Sequence, residues 1–70
     1  MMPLAFASVG EENVIKRIGG KPEAKKHLED MGFVVGSLIT LISKFEGNVI
    51  VNVKDTRIAI SKEMAARIYV

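Results

Sequence analysis

The sequence predicts a mainly β domain: a small, partly open β-barrel of about five strands, with one α-helix after the first strand and a short helical turn before the last. Three observations predict it. Apolar and polar residues alternate over residues 37–44 and 48–54, the period of a half-buried strand. Breakers at Gly19-Gly20, Gly32, Gly36 and Gly47-Asn48 leave only short runs between them. The chain has 70 residues and no cysteine, so it has no disulfide or thiolate metal site to staple it. Curling a sheet on itself gathers the apolar side chains into one core and covers strand edges.

The elements follow in order. Residues 13–18 (NVIKRI) are rich in β-branched side chains and stop at Gly19-Gly20, which predicts a first strand ended by a turn. Pro22 suits the first turn of a helix, predicted over residues 22–31. There Ala24, Leu28 and Met31 stand at i, i+4 and i+7 and form one apolar stripe. Lys25, Lys26, Glu29 and Asp30 fall mostly on the wet side. Gly32 stands where a left-handed residue ends a helix, and Phe33 returns to pack beneath it. Gly36 supplies the turn into the next strand.

In residues 37–44 (SLITLISK), Ile39 and Leu41 share one face while Leu38, Thr40 and Ile42 share the other. After the Gly47-Asn48 turn, residues 48–54 place Val49, Val51 and Val53 inward and Asn48, Ile50 and Asn52 outward. Residues 54–57 (KDTR) read as a tight hairpin, and Ile58 and Ile60 face inward beyond it. Ser61 caps a helical turn over residues 62–66. Ile68 and Val70 then share a face of the last strand. With no internal repeat or linker, residues 1–70 form one domain.

Composition narrows the function. Ten Lys and Arg against eight Asp and Glu leave +2, and the bases are scattered. Phe6, Phe33, Phe45 and Tyr69 all lie outside basic runs, unlike the basic, aromatic-studded surface of a nucleic-acid reader; no nucleic acid is expected. The longest apolar stretches, residues 1–7 and 38–42, fall far short of the ~18–20 residues of a bilayer helix. The first ten residues lack the basic start of a secretory signal. No membrane insertion is expected, and the location is read as cytoplasmic.

No catalytic constellation stands out. His27 is the single histidine, and nothing around Ser8, Ser37, Ser43 or Ser61 marks a nucleophile. Phosphate-binding glycine motifs are missing, so no enzyme activity is expected. Glu23, His27 and Asp30 fall at i, i+4 and i+7, one helix face with two carboxylates and an imidazole. That set suits weak Fe(II) or Zn(II) binding. The plainer reading is a solvated helix flank, with Glu23 favourable near the positive end of the helix dipole; no cofactor is required. Protein contact has better candidates. Phe45 lies at a turn between Lys44 and Glu46, where a core does not call for an aromatic, and Ile50 sits on the outward face of its strand. Lys44, Phe45 and Ile50 form the candidate contact set.

Several stretches together resemble a known family. Residues 15–20 (IKRIGG), 28–33 (LEDMGF) with Gly36, Gly47-Asn48, 57–60 (RIAI) and 65–70 (AARIYV) are similar to the ferrous iron transport protein A (FeoA) family. The likeness runs from about residue 3 to residue 70. Two positions depart from it: Val35 stands where proline is common, and Asp55-Thr56 where glycine is frequent. The resemblance implies an SH3-like β-barrel, similar to the C-terminal barrel of iron-dependent repressors of the diphtheria toxin repressor type. It also implies a partner, the ferrous iron transporter FeoB, a membrane protein with a cytoplasmic GTPase domain. It brings no catalytic residues. The resulting expectation is an accessory protein of bacterial ferrous iron uptake, peripheral to the inner membrane through its partner, with weak self-association as a further contact. The alternatives are a regulatory SH3-like module that binds nucleic acid or a transcription regulator, and a weak transition-metal sensor.

Overall fold

The alternation of Val49, Val51 and Val53 with Asn48, Ile50 and Asn52 builds the centre of the fold. The computed structural model describes residues 1–70. Its strands are β1 (Glu12–Val14), β2 (Arg17–Ile18), β3 (Leu38–Phe45), β4 (Asn48–Val53), β5 (Thr56–Ile60) and β6 (Ile68–Tyr69). Helix α1 spans Pro22–Asp30, α2 spans Lys62–Ala65, and a 3-10 turn covers Leu4–Phe6. All strand pairs are antiparallel. β1-β3-β4-β5 form one four-stranded sheet and β2-β6 a separate two-stranded one. No strand pair joins the two sheets, so the barrel stays open.

Six strands rather than about five appear because the first expected strand is two. Ile15 and Ile18 are both buried, but three residues apart in one straight strand they would face opposite sides. The chain resolves this by changing sheets between them. Ile15 exchanges backbone bonds with the loop before β3, donating to Ser37 at 2.9 Å and accepting from Gly36 at 2.8 Å. The Lys16 N–H then donates to Tyr69 at 2.8 Å, and β2 pairs with β6. There the Arg17 guanidinium lies 5.4 Å from the centroid of the Tyr69 ring, within cation–π range. Of the two breakers that follow, Gly20 makes the turn with φ +101°. Gly19 instead continues alongside β6, its N–H on Arg67 O at 2.7 Å.

Helix α1 ends one residue earlier than its apolar stripe suggests, in a Schellman motif. The N–H of Gly32, at φ +105°, bonds Glu29 O at 2.9 Å, and the N–H of Phe33 bonds Leu28 O at 3.0 Å. Both Leu28 and Phe33 are buried, which supplies the apolar contact that accompanies this stop. The first residues, to which the sequence assigns no element, also join the core. Met2 and Val70 exchange two backbone bonds of 2.8 Å, and Leu4 and Ala7 are buried.

The core is one cluster of 15 buried residues, all apolar. Ile39 and Leu41 of β3 face Val53 and Val51 of β4, and Val49 faces Ile60 of β5. Between Leu41 and Ser43 the β3–β4 register shifts by a bulge at Ile42. Two-residue hairpins join β3 to β4 and β4 to β5. Glu46 and Gly47 have φ of 50° and 85°, and Lys54 and Asp55 have φ of 52° and 61°. Left-handed backbone at both central residues matches the twist of the flanking strands.

Lys54 and Asp55 carry Cβ atoms into that left-handed region, at a cost of about 1 kcal/mol or more each. Lys54→Asn combined with Asp55→Gly gives the favoured turn pair, and part of the gain is offset by glycine's unfolded-state entropy. The double variant is expected to be more stable by about 1 kcal/mol, raising the thermal midpoint by roughly 4–8 °C. A midpoint at or below that of the parent chain would contradict the assignment of strain to this turn.

Candidate functional site

Ordinary alternation from Ile39 and Leu41 would carry Ser43 and Phe45 inward. The bulge at Ile42 adds a residue and reverses the faces beyond it. Ser43 therefore pairs with Ile50, which in turn pairs with Ala59. These three residues form one row across the outer face of the sheet. Phe45, opposite Asn48, lies on the same face one step further along. Phe45 is 70% exposed and Ile50 half-buried. Diagonal cross-strand neighbours of this kind stand roughly 7–8 Å apart, within reach of an aromatic. Lys44 pairs with the buried Val49 and so takes the opposite side of β3, at the open end of the sheet. The structure brings Phe45 and Ile50 together and separates Lys44 from them. Ser43 and Ala59, which the sequence reading did not single out, complete the patch. The β3–β4 and β4–β5 registers are what reveal them.

The hairpin tip beside Phe45 is held by α2. Ser61 Oγ accepts the Met64 N–H at 3.2 Å, and Asn48 Oδ1 accepts the Lys62 N–H at 3.2 Å. Two N–H groups at the helix start, which no helical carbonyl can reach, thereby gain partners. Gly47 is constrained from two sides: its φ is +85°, and a Cβ there would sit 3.0 Å from Lys62 Cδ. The lysine stem lies across the tip and fixes the end of the sheet.

The other end of the same outer face is also partly apolar. Val14 and Leu38 form an exposed cross-strand pair, 42% and 52% exposed. Beside Leu38 an open pocket of about 380 Å3 is lined by Glu12, Ser37, Thr40, Asn52, Lys54 and Asp55. Between the two apolar ends runs a polar row, Glu12, Thr40, Asn52 and Arg57, one residue from each strand. No polar or charged residue is buried. A face of this kind presents shape, apolar area and hydrogen-bonding groups to a partner, and holds no desolvated acid, base or nucleophile.

Glu23, His27 and Asp30 are all exposed on α1. No three His, Cys, Asp or Glu side chains converge on a point where they could hold an ion. Phe33 lies wholly inside the core and takes no part in any surface.

The family described as the FeoA domain matches residues 2–70. The chain belongs to the FeoA family. A curated relative from Methanocaldococcus jannaschii, named "Putative Fe(2+) transport protein A", is 40% identical over 70 residues, covering 100% of this chain and 85% of the relative. A crystal structure of an iron uptake regulatory protein (FeoA) is similar with a TM-score of 0.86 and 30% identity, over 96% of this chain and 89% of that one. Stenotrophomonas maltophilia FeoA complexed with zinc, described as a prokaryotic SH3 domain protein, gives a TM-score of 0.83 at 21% identity, over 99% and 88% of the two chains. The fold of this FeoA chain is accordingly SH3-like. A manganese-dependent transcriptional repressor shares the fold, with a TM-score of 0.88 at 18% identity; the likeness covers 97% of this chain and 39% of the repressor. Membership of FeoA links the chain to ferrous iron transport.

Asn48→Ala removes the bond that ties the FeoA hairpin to α2, and is expected to cost about 0.5–1 kcal/mol. Urea unfolding of the two proteins measures the difference. Equal midpoints would show that the Asn48–Lys62 bond does not anchor this end of the sheet.

Proposed function

We propose that this chain is a cytoplasmic accessory protein of ferrous iron uptake that acts by protein contact. The outer sheet face around Phe45 and Ile50 docks on the cytoplasmic, GTPase-bearing portion of a FeoB-type membrane transporter. Membership of the FeoA family supports the iron-transport setting. The observation that carries the contact is an aromatic side chain, Phe45, 70% exposed beside Ile50 on an ordered strand pair. A large apolar group held open on a rigid element has the character of an interface anchor. In this reading the ion path and the nucleotide chemistry belong to the partner. No helix of this chain is long and apolar enough to cross a membrane. Docking shifts the transporter between states only if the barrel binds one state more tightly than the other.

The reading needs no cofactor. Glu23, His27 and Asp30 act as a solvated helix flank, and any Fe(II) or Zn(II) they attract is held weakly, without the second shell that a specific site uses. Titration of micromolar protein with equimolar Zn(II) or anaerobic Fe(II) is expected to leave the His27 ring resonances in place. Saturable shifts at that level would make the chain a metal carrier or sensor.

Titration of the purified cytoplasmic portion of the transporter tests the contact. Phe45→Ala is expected to weaken binding about tenfold, the effect of a lost anchor worth about 1.4 kcal/mol. Ile50→Asp, which sets a charge in the middle of the face, weakens it at least as much. Circular dichroism of both variants serves as the control that each remains folded. Binding by both at parental affinity would remove this face as the contact.

A further inference from the structure

Strand β5 is one edge of the four-stranded sheet, and its free side is open. The β4–β5 hairpin closes on Val53 and Thr56. In a two-residue hairpin the closing pair is hydrogen-bonded, and bonded pairs recur at every second residue. Thr56, Ile58 and Ile60 therefore direct their backbone groups toward β4, while Arg57 and Ala59 direct theirs outward. Both Arg57 and Ala59 are exposed. No backbone hydrogen bond outside the regular ladder involves residues 56–60. Sheet edges are ordinarily protected by proline, bulges, lysine or inward-pointing charges. β5 (TRIAI) has none of these, and Arg57 is its single charge. The opposite edge differs: β1 has three residues, Glu11 and Glu12 stand at its start, and the outward N–H of Lys16 just beyond it is taken by Tyr69 of β6.

We propose that the β5 edge pairs with the β5 edge of a second copy of this chain, antiparallel about a two-fold axis at Ile58. The edge is complementary to itself in one register. With Ile58 opposite Ile58, Arg57 of each copy faces Ala59 of the other. Each of these two pairs exchanges two N–H to C=O bonds through groups that already point outward. Setting Arg57 opposite Arg57 would oppose like charges. Setting Ala59 opposite Ala59 would require residue 61, and Ser61 is engaged as the cap of α2. Ile58 adds an independent reason. It packs on the core yet is only half-buried, and in this register its open side meets its symmetry mate. The interface is isologous, as a two-fold dimer requires. The contact is small, so the dimer forms at high protein concentration. Because the axis is perpendicular to the sheet, both outer faces point the same way, each with its own Phe45 and Ile50.

Sedimentation equilibrium of the full chain from micromolar to millimolar concentration, with amide NMR spectra over the same range, tests the proposal. The expected result is a mass rising from that of one 7.7 kDa chain toward twice that value. Concentration-dependent shifts should centre on Arg57 and Ala59, and isotope-filtered NOEs should connect Arg57 of one copy to Ala59 of another. Ala59→Pro deletes an outward N–H without touching the β4 ladder, as edge strands permit, and should abolish the association. A parent chain that stays monomeric at millimolar concentration overturns the proposal. So does self-association without the Arg57–Ala59 NOEs, or one that a folded Ala59→Pro retains.

Discussion

The constraint on which the structure depends is that the core contains nothing but apolar side chains. Seventy residues without cysteine must reach stability through 15 buried residues, and a core of this size leaves little margin. Burying one unpaired polar group would cost roughly 1–3 kcal/mol, a large part of that margin. Each local device serves this requirement. The change of sheet at Ile15-Lys16 admits both Ile15 and Ile18. The Schellman stop at Gly32 delivers Phe33 beneath Leu28. The 3-10 turn at Leu4–Phe6 brings Leu4 and Ala7 in from the start of the chain. Because the interior accepts no polar group, every polar and charged side chain reaches the surface, and function is confined there.

That surface is ordered unevenly. The hairpin tip at Glu46-Gly47 is clamped from outside by Lys62 and by the Asn48 bond to α2. Phe45 is thus exposed on a stiff support rather than on a mobile loop. Rigid presentation reduces the entropy lost when a partner binds. The polar row from Glu12 to Arg57 separates this apolar end from the one at Val14 and Leu38. The same SH3-like frame in a longer repressor chain shows that the fold also occurs within larger proteins. Fold alone therefore does not set the task. Membership of the FeoA family sets the iron-transport context.

Much of this was legible in the residues. Clean alternation in β4 marked Val49, Val51 and Val53 as core, and Pro22 and Gly32 bracketed α1, because these signals are local. What escaped depends on contacts distant in sequence. NVIKRI reads as one strand until its two halves meet different partners, β3 and β6. The bulge at Ile42 has no glycine or proline to announce it, and it alone decides that Phe45 faces out with Ile50 while Lys44 turns away. For the same reason Ser43 and Ala59 belong to the patch by register rather than by type. Leu4 and Ala7 carry no periodic signal at all, since a single turn is too short to show one.

The proposed docking surface of this FeoA chain is the outer sheet face beside the clamped hairpin. Amide chemical-shift mapping of the labelled chain, titrated with the cytoplasmic portion of the FeoB-type transporter, tests it most directly. The largest changes are expected at Ser43, Phe45, Ile50 and Ala59, with α1 unmoved. Changes concentrated instead on the exposed flank of α1 around Glu23 and His27, or on the β2–β6 face with Arg17 and Tyr69, would contradict it.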